Sequence, residues 1–239
     1  MKQLKIALLS TATDEVLGYI IEKLFDYKIP IHSIIMDSKV SDSRDKFIWN
    51  ERTQGQLPLI PVYRFENYRI PFYFFSNHTS TTTAQFVEDS NIDLLINATT
   101  PRILKANILS APKIGVVNSH PGLFPNFRGC TCVEWAIYLD EKVGNTVHLM
   151  SEKIDEGPVL IQESLLFKKS DQYHDVRTKV YRHSFELMAR GIKKIIDNPL
   201  HDFKNAEYVK NGRYFKVIDD DKMNVVLNKI NSGNYLYQK

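Results

Sequence analysis

"DLLINAT" (residues 93–99), "PRILKANILSA" (101–111) and "GVVNSH" (115–120) together decide how this chain folds. The two outer pieces are short apolar runs of strand length, and neither alternates cleanly between apolar and polar residues. That continuous apolar character marks a strand covered on both faces. The middle piece predicts a helix with Pro101 at its first position, where the missing N–H is tolerated. Strand, helix, strand is the repeating unit of a parallel sheet.

The same alternation extends in both directions. "LKIALLS" (4–10) reads as a buried strand and "DEVLGYIIEKLFDY" (14–27) as a helix with Asp14 and Glu15 in its first turn. "IHSIIMD" (31–37) and "PFYFFS" (71–76) are further strands, with a helix from about Thr81 to Asp89. Ser38–Tyr68 is the least regular stretch and reads as an insertion or lid. Downstream, "CVEWAIYLD" is helical, while "GNTVHLMSEK" and "PVLIQESLLF" are strands of antiparallel type. A long helix from about Asp171 to Ile196 precedes Pro199. In "EYVKNGRYFKV" (207–217), two β-rich arms flank Asn211-Gly212, a type I′ hairpin signal. The expected fold is α/β, a Rossmann-like and mostly parallel sheet with helices on both faces, plus a small C-terminal β-hairpin region. Residues 1–198 would form the main domain and 199–239 a hairpin tail.

The totals narrow the function. In 239 residues, Lys and Arg number 31 against 28 Asp and Glu, with no basic stripe, so nucleic acid is not an expected partner. Two cysteines one residue apart, Cys130 and Cys132, argue against a disulfide framework. With His120 they also lack the paired spacing of a zinc site, so no metal is expected. No leader or membrane-length apolar run is present, which points to a cytoplasmic protein with no membrane partner.

In open α/β sheets ligands bind beyond the carboxyl ends of the strands, and "NSH" falls at such an end. Alternation along an extended chain puts Asn118 and His120 on one face, and Pro121 keeps His120 extended. Asn donates to a developing oxyanion and His moves protons near neutral pH. "KIDEGPV" adds Asp155 from a glycine-containing loop between two strands. Such a set suits acylation of an amine, in which charge gathers on oxygen and nitrogen loses a proton.

The ordered set Asn118-Ser119-His120-Pro121, Leu123-Phe124-Pro125, Phe127-Arg128-Gly129, Trp135-Ala136-Ile137, Gly144-Asn145-Thr146-Val147-His148 and Ile154-Asp155-Glu156-Gly157 resembles the folate-dependent formyltransferases. The resemblance implies transfer of a formyl group from 10-formyltetrahydrofolate, the co-substrate, to an amine. It assigns oxyanion stabilisation to Asn118 and His120, and orientation of His120 with proton removal to Asp155. Folate would be held around Arg102, Ile103 and Leu104 in "PRIL", and around Ile154, Glu156 and Gly157.

Within that family the chain resembles most the branch that formylates nucleotide-linked amino sugars for O-antigen and other surface polysaccharide. An acceptor such as dTDP-4-amino-4,6-dideoxyglucose or a 3-amino analogue is implied. "LLSTATDEVLG" lacks the glycine-rich phosphate cradle of the purine branch, and the forty residues after the long helix are short for a tRNA-binding domain. A nucleotide needs a stacking surface and cations for its phosphates. The expected substrate contacts are Trp49 and Arg52 in "RDKFIWNERTQG", Asn77 and His78 after a strand end, Arg128 and Trp135. Another folate-dependent formyltransferase, deformylation of 10-formyltetrahydrofolate, or binding of nucleotide-sugar or folate without turnover are the alternatives; the hairpin would extend the sheet, pack on the core or pair with a second subunit in a homodimer.

Overall fold

The computed structural model describes residues 3–11, 16–40, 43–198, 201–203 and 206–239. Nine strands are found among them: β1 (Ile6–Thr11), β2 (Ser33–Asp37), β3 (Phe72–Phe75), β4 (Leu94–Asn97), β5 (Gly115–His120), β6 (Arg128–Gly129), β7 (Gly144–Leu149), β8 (Val159–Ser164) and β9 (Tyr214–Phe215). The helices are α1 (Leu17–Asp26), α2 (Ser43–Thr53), α3 (Thr81–Asp89), α4 (Ala106–Ser110), α5 (Cys132–Tyr138), α6 (Tyr173–Asp197) and α7 (Asp220–Asn231), with a 3-10 helix at Val62–Tyr68.

Seven strands form one sheet in the order β3-β2-β1-β4-β5-β7-β8. The first five run parallel, while β7 and β8 are antiparallel to their neighbours. Side-chain alternation sorts each central strand between two cores. Ile6, Leu8, Leu94, Ile96 and Val117 join α1 and α6 on one face, while Ala7, Leu9, Leu95 and Val116 join α3 and α4 on the other. This is the predicted α/β architecture. A third core, built on Val133, Ala136, Ile137, Val176, Val180, Val226 and Ile230, packs α5, the start of α6 and α7 together.

Four local expectations change. The "PRILKANILSA" helix begins only at Ala106, because Arg102 is drawn to Asp37 and Leu104 is buried, which keeps Ile103–Lys105 extended. The irregular insertion holds α2 and the 3-10 helix. The tail contains a helix, α7, capped by the Asp219 side chain on the Lys222 amide. The hairpin does not form: Asn211 takes a left-handed turn (φ 55°), but the arms part. Tyr214–Phe215 pairs in parallel with Arg128–Gly129, and Val209 bonds to Glu156 instead. Asp14, Glu15 and Pro199 lie outside the described residues.

Candidate active site

β5 delivers Asn118 and His120 to the α4 side of the sheet, as their alternation requires, and turns Ser119 toward α6, where it bonds to Ser184. Opposite them in register on β7 stand His148 and Thr146. The chain after β5 is pinned by two side chains from β7 and β8. Thr146 donates to the Gly122 carbonyl (2.6 Å), and Gln162 spans both the amide and the carbonyl of Phe124. Gly122 is required here: a Cβ would lie 2.3 Å from the Phe127 carbonyl oxygen and 2.7 Å from His120 Nε2.

These turns bring Asn118, His120, His148 and Asp155 together. The Nδ1 of His120 faces Asp155 Oδ2 at 3.4 Å, and His148 Nε2 lies 3.9 Å from Asp155 Oδ1. The backbone amide of Gly129 donates to the Asp155 carboxylate at 2.9 Å. His120 Nε2 lies 3.0 Å from the Phe127 carbonyl. A carbonyl can only accept, so Nε2 carries a proton. His148 obeys the same rule in reverse. Its Nδ1–H donates to the Leu149 carbonyl, leaving Nε2 to accept from the Asn118 amide at 3.3 Å. Asn97 then donates to Asn118 Oδ1 at 3.0 Å, which fixes the amide's orientation and directs its other N–H outward.

The electrostatics agree. Burial pushes the His120 imidazole down, opposed by the Asp155 carboxylate and the Phe127 carbonyl. For His148, burial outweighs the pull of Asp155, and with the nearby His120 it lowers the ring to about 4. His148 is thus neutral near pH 7 and free to accept. Neither His148 nor Asn97 was assigned a role from the sequence. Both carried a signal: Asn97 ends a central strand, as Asn118 does, and His148 sits inside the Thr-Val-His motif.

Two cavities flank the cluster. One of about 560 Å3 lies between α4 and the loop after β7, lined by residues such as Leu109, Met150, Glu152, Glu156 and Tyr208. The other, about 140 Å3, is lined by Asn97, Thr99, Asn118 and Ser119 against Val16, Ile20, Phe185 and Met188. Ile103 and Ile154 are exposed, while Leu104 is buried. Arg102 is partly exposed, and its guanidinium grips Asp37 with two bonds of 2.8 and 3.0 Å. Burial raises the Asp37 carboxyl, but Arg102 and the amides of Lys39 and His78 outweigh it and hold it below its ordinary value.

The expected substrate contacts divide. His78 has no exposed surface; its ring donates to the Ile35 carbonyl and meets Thr100 Oγ1, so it is a core residue rather than a ligand contact. Asn77 closes a turn by accepting from the amide and hydroxyl of Thr79. Trp135 donates to the Lys216 carbonyl and stacks on Phe215, which engages it with the tail. Trp49 and Arg52 both meet Tyr181, a wall of the smaller cavity, and reach that cavity only through it. Arg128 is buried and pairs with Glu156.

A formyl transferase family model matches residues 4–192. A methionyl-tRNA formyltransferase of Prochlorococcus marinus is 28% identical over 174 residues, 69% of this chain and 52% of that protein. The chain spans about half or less of the length of the curated relatives it matches first. Among solved structures, glycinamide ribonucleotide transformylase 1 of Symbiobacterium toebii superposes with a TM-score of 0.64 at 17% identity, covering 87% of this chain and 95% of that one. A sugar N-formyltransferase of Shewanella gives 0.59 at 16% identity, covering 93% and 86%. At such identities these two establish the shared fold. With four-fifths of its length matched by the family model, the chain belongs to the formyl transferase family.

Proposed function

We propose that this chain transfers a formyl group from 10-formyltetrahydrofolate to the amine of a nucleotide-linked amino-deoxysugar. The smaller cavity carries the acceptor assignment. Its 140 Å3 is close to the ~150 Å3 cavity that holds a benzene ring, so it suits one six-membered ring. Its lining mixes amide and hydroxyl groups from Asn97, Thr99, Asn118, Ser119 and Ser184 with apolar Ile20, Phe185 and Met188, which suits a ring carrying both hydroxyl groups and deoxygenated carbons. The larger cavity falls within the usual range of roughly 300–1,000 Å3 for cofactor sites and is walled by both apolar and charged residues. The folate would supply the formyl carbon there.

Each residue of the cluster has work matched to its bonding. The outward N–H of Asn118 donates to the formyl oxygen as negative charge develops. The proton on His120 Nε2 is a second donor, released from the Phe127 carbonyl to the same oxygen. Asp155 faces His120 Nδ1 and takes up the proton that the attacking amine loses; as the bond from the formyl carbon to the folate nitrogen breaks, that proton passes to the leaving tetrahydrofolate. His148 and Asn97 hold the Asn118 amide in register.

The test is to incubate the protein with 10-formyltetrahydrofolate and a panel of nucleotide-linked 3-amino- and 4-amino-deoxysugars. The expected product is an acceptor heavier by one formyl group. No formylated sugar anywhere in the panel would overturn the acceptor class. Formate release without any amine would indicate deformylation instead, and folate binding without turnover a binding protein.

A further inference from the structure

Two loops frame the catalytic groups: 121–131, which follows Asn118 and His120 on β5, and 150–158, which carries Asp155 between β7 and β8. Both are tied to a stretch far along the chain, residues 206–215. The Val209 amide donates to the Glu156 carbonyl at 2.9 Å. Arg128, only 7% exposed, donates through Nη1 to Glu156 Oε1 at 2.6 Å and through Nη2 to the Gly212 carbonyl at 3.1 Å. The Arg128 amide reaches the Arg213 carbonyl, and the Cys130 amide the Phe215 carbonyl. One guanidinium therefore joins the first loop, the second loop and the tail. The contact is close: a Cβ on Gly212 would stand 1.8 Å from the Pro125 carbonyl oxygen.

Asp155 needs such support. It sits in the left-handed region at φ 56° without being a glycine, a strained conformation that persists only where neighbours enforce it. Its own carboxylate holds one backbone amide, from Gly129, on the loop that Arg128 anchors. We infer that residues 206–215 act as a strap that sets the working position of Asp155 through the Arg128–Glu156 pair, in which the guanidinium is buried and the carboxylate half-buried. Arg128 and Gly212 are then positioning residues, and Glu156, on the wall of the larger cavity, acts on Asp155 by holding Arg128. When the pair is broken, the 150–158 loop relaxes and the Asp155 carboxylate leaves His120.

The inference rests on the formyl-transfer reading for its kinetic test but not for its structural one. Glu156→Gln and Gly212→Ala, each in the full chain, are compared with the unsubstituted protein by hydrogen–deuterium exchange and by steady-state kinetics. Loss of one charge-assisted bond predicts about tenfold faster exchange across 150–157 in Glu156→Gln. It also predicts a kcat lower by about tenfold, an unchanged KM for the acceptor, and a displaced limb in the pH–rate profile. Arg128→Lys should retain more activity than Arg128→Met. Unchanged exchange in Glu156→Gln, or a raised KM with unchanged kcat, would overturn the assignment, the second outcome marking Glu156 as a ligand contact. Should Gly212→Ala not fold, Glu156→Gln decides alone. If the unsubstituted chain forms no product, the activity reading fails, and the exchange rates decide on the strap.

Discussion

At the scale of single residues, the site's chemistry follows from which atom of each group can accept. His120→Asn removes the imidazole that faces Asp155 and should lower kcat by about 10²–10⁴, with folding tested separately by circular dichroism. Asn118→Ala removes an oxyanion donor, and a loss of roughly 10²–10³ in kcat is expected. His148 adds a pH signature. Its folded-state value of about 4 lies below the ~6.5 of a free imidazole. Between those limits the unfolded chain binds a proton that the folded chain refuses. Stability from this group is complete above about pH 6.5 and falls as the pH drops toward 4, with a slope approaching ~1.4 kcal/mol per pH unit. In His148→Gln, whose amide oxygen can still accept, denaturant midpoints between pH 4 and 6.5 should change less steeply. An unaltered slope would remove His148 as its source.

Between elements, the least obvious contact is the buried ion pair beneath α5 and α6. Arg177 on α6 and Glu134 on α5 are 3.5 Å apart and almost fully enclosed, with Tyr173 donating to Glu134 and Arg52 nearby. Burial alone would raise the Glu134 carboxyl, but Arg177 and Arg52 bring it below its usual value. Removing one partner strands a buried charge, so Arg177→Met should destabilise the fold by about 3–5 kcal/mol, read from urea midpoints. Arg177→Met with Glu134→Leu should recover most of that loss. Sequence patterning could not foresee this pair, because neither residue differs locally from one on a solvated helix face. The central strands were legible because each carries its own apolar run, and Asn118, His120 and Asp155 because each ends a strand or occupies a short turn. The late start of α4 was not, since it depends on Arg102 reaching Asp37 on another strand. Nor was the open hairpin: Asn211-Gly212 does specify a local turn, but bonds to Arg128 and Glu156 separate the arms.

At the scale of the molecule, the sheet has two edges, and they differ. β3 ends it with Phe72, Tyr73 and Phe74 all substantially exposed, Phe74 by 73%. An aromatic edge strand invites strand-to-strand association, and a lysine there is a common remedy. Phe74→Lys should reduce light scattering at high protein concentration while leaving the thermal midpoint within about a degree or two, a surface change being worth roughly 0.5 kcal/mol or less. An unchanged scattering curve would place self-association elsewhere. The close seating of Gly212 on Pro125 limits what can replace this part of the chain. The carboxyl-terminal segment is no interchangeable spacer: a chimera that borrows it from a relative must bring the matching residues 125–130 and 156 along.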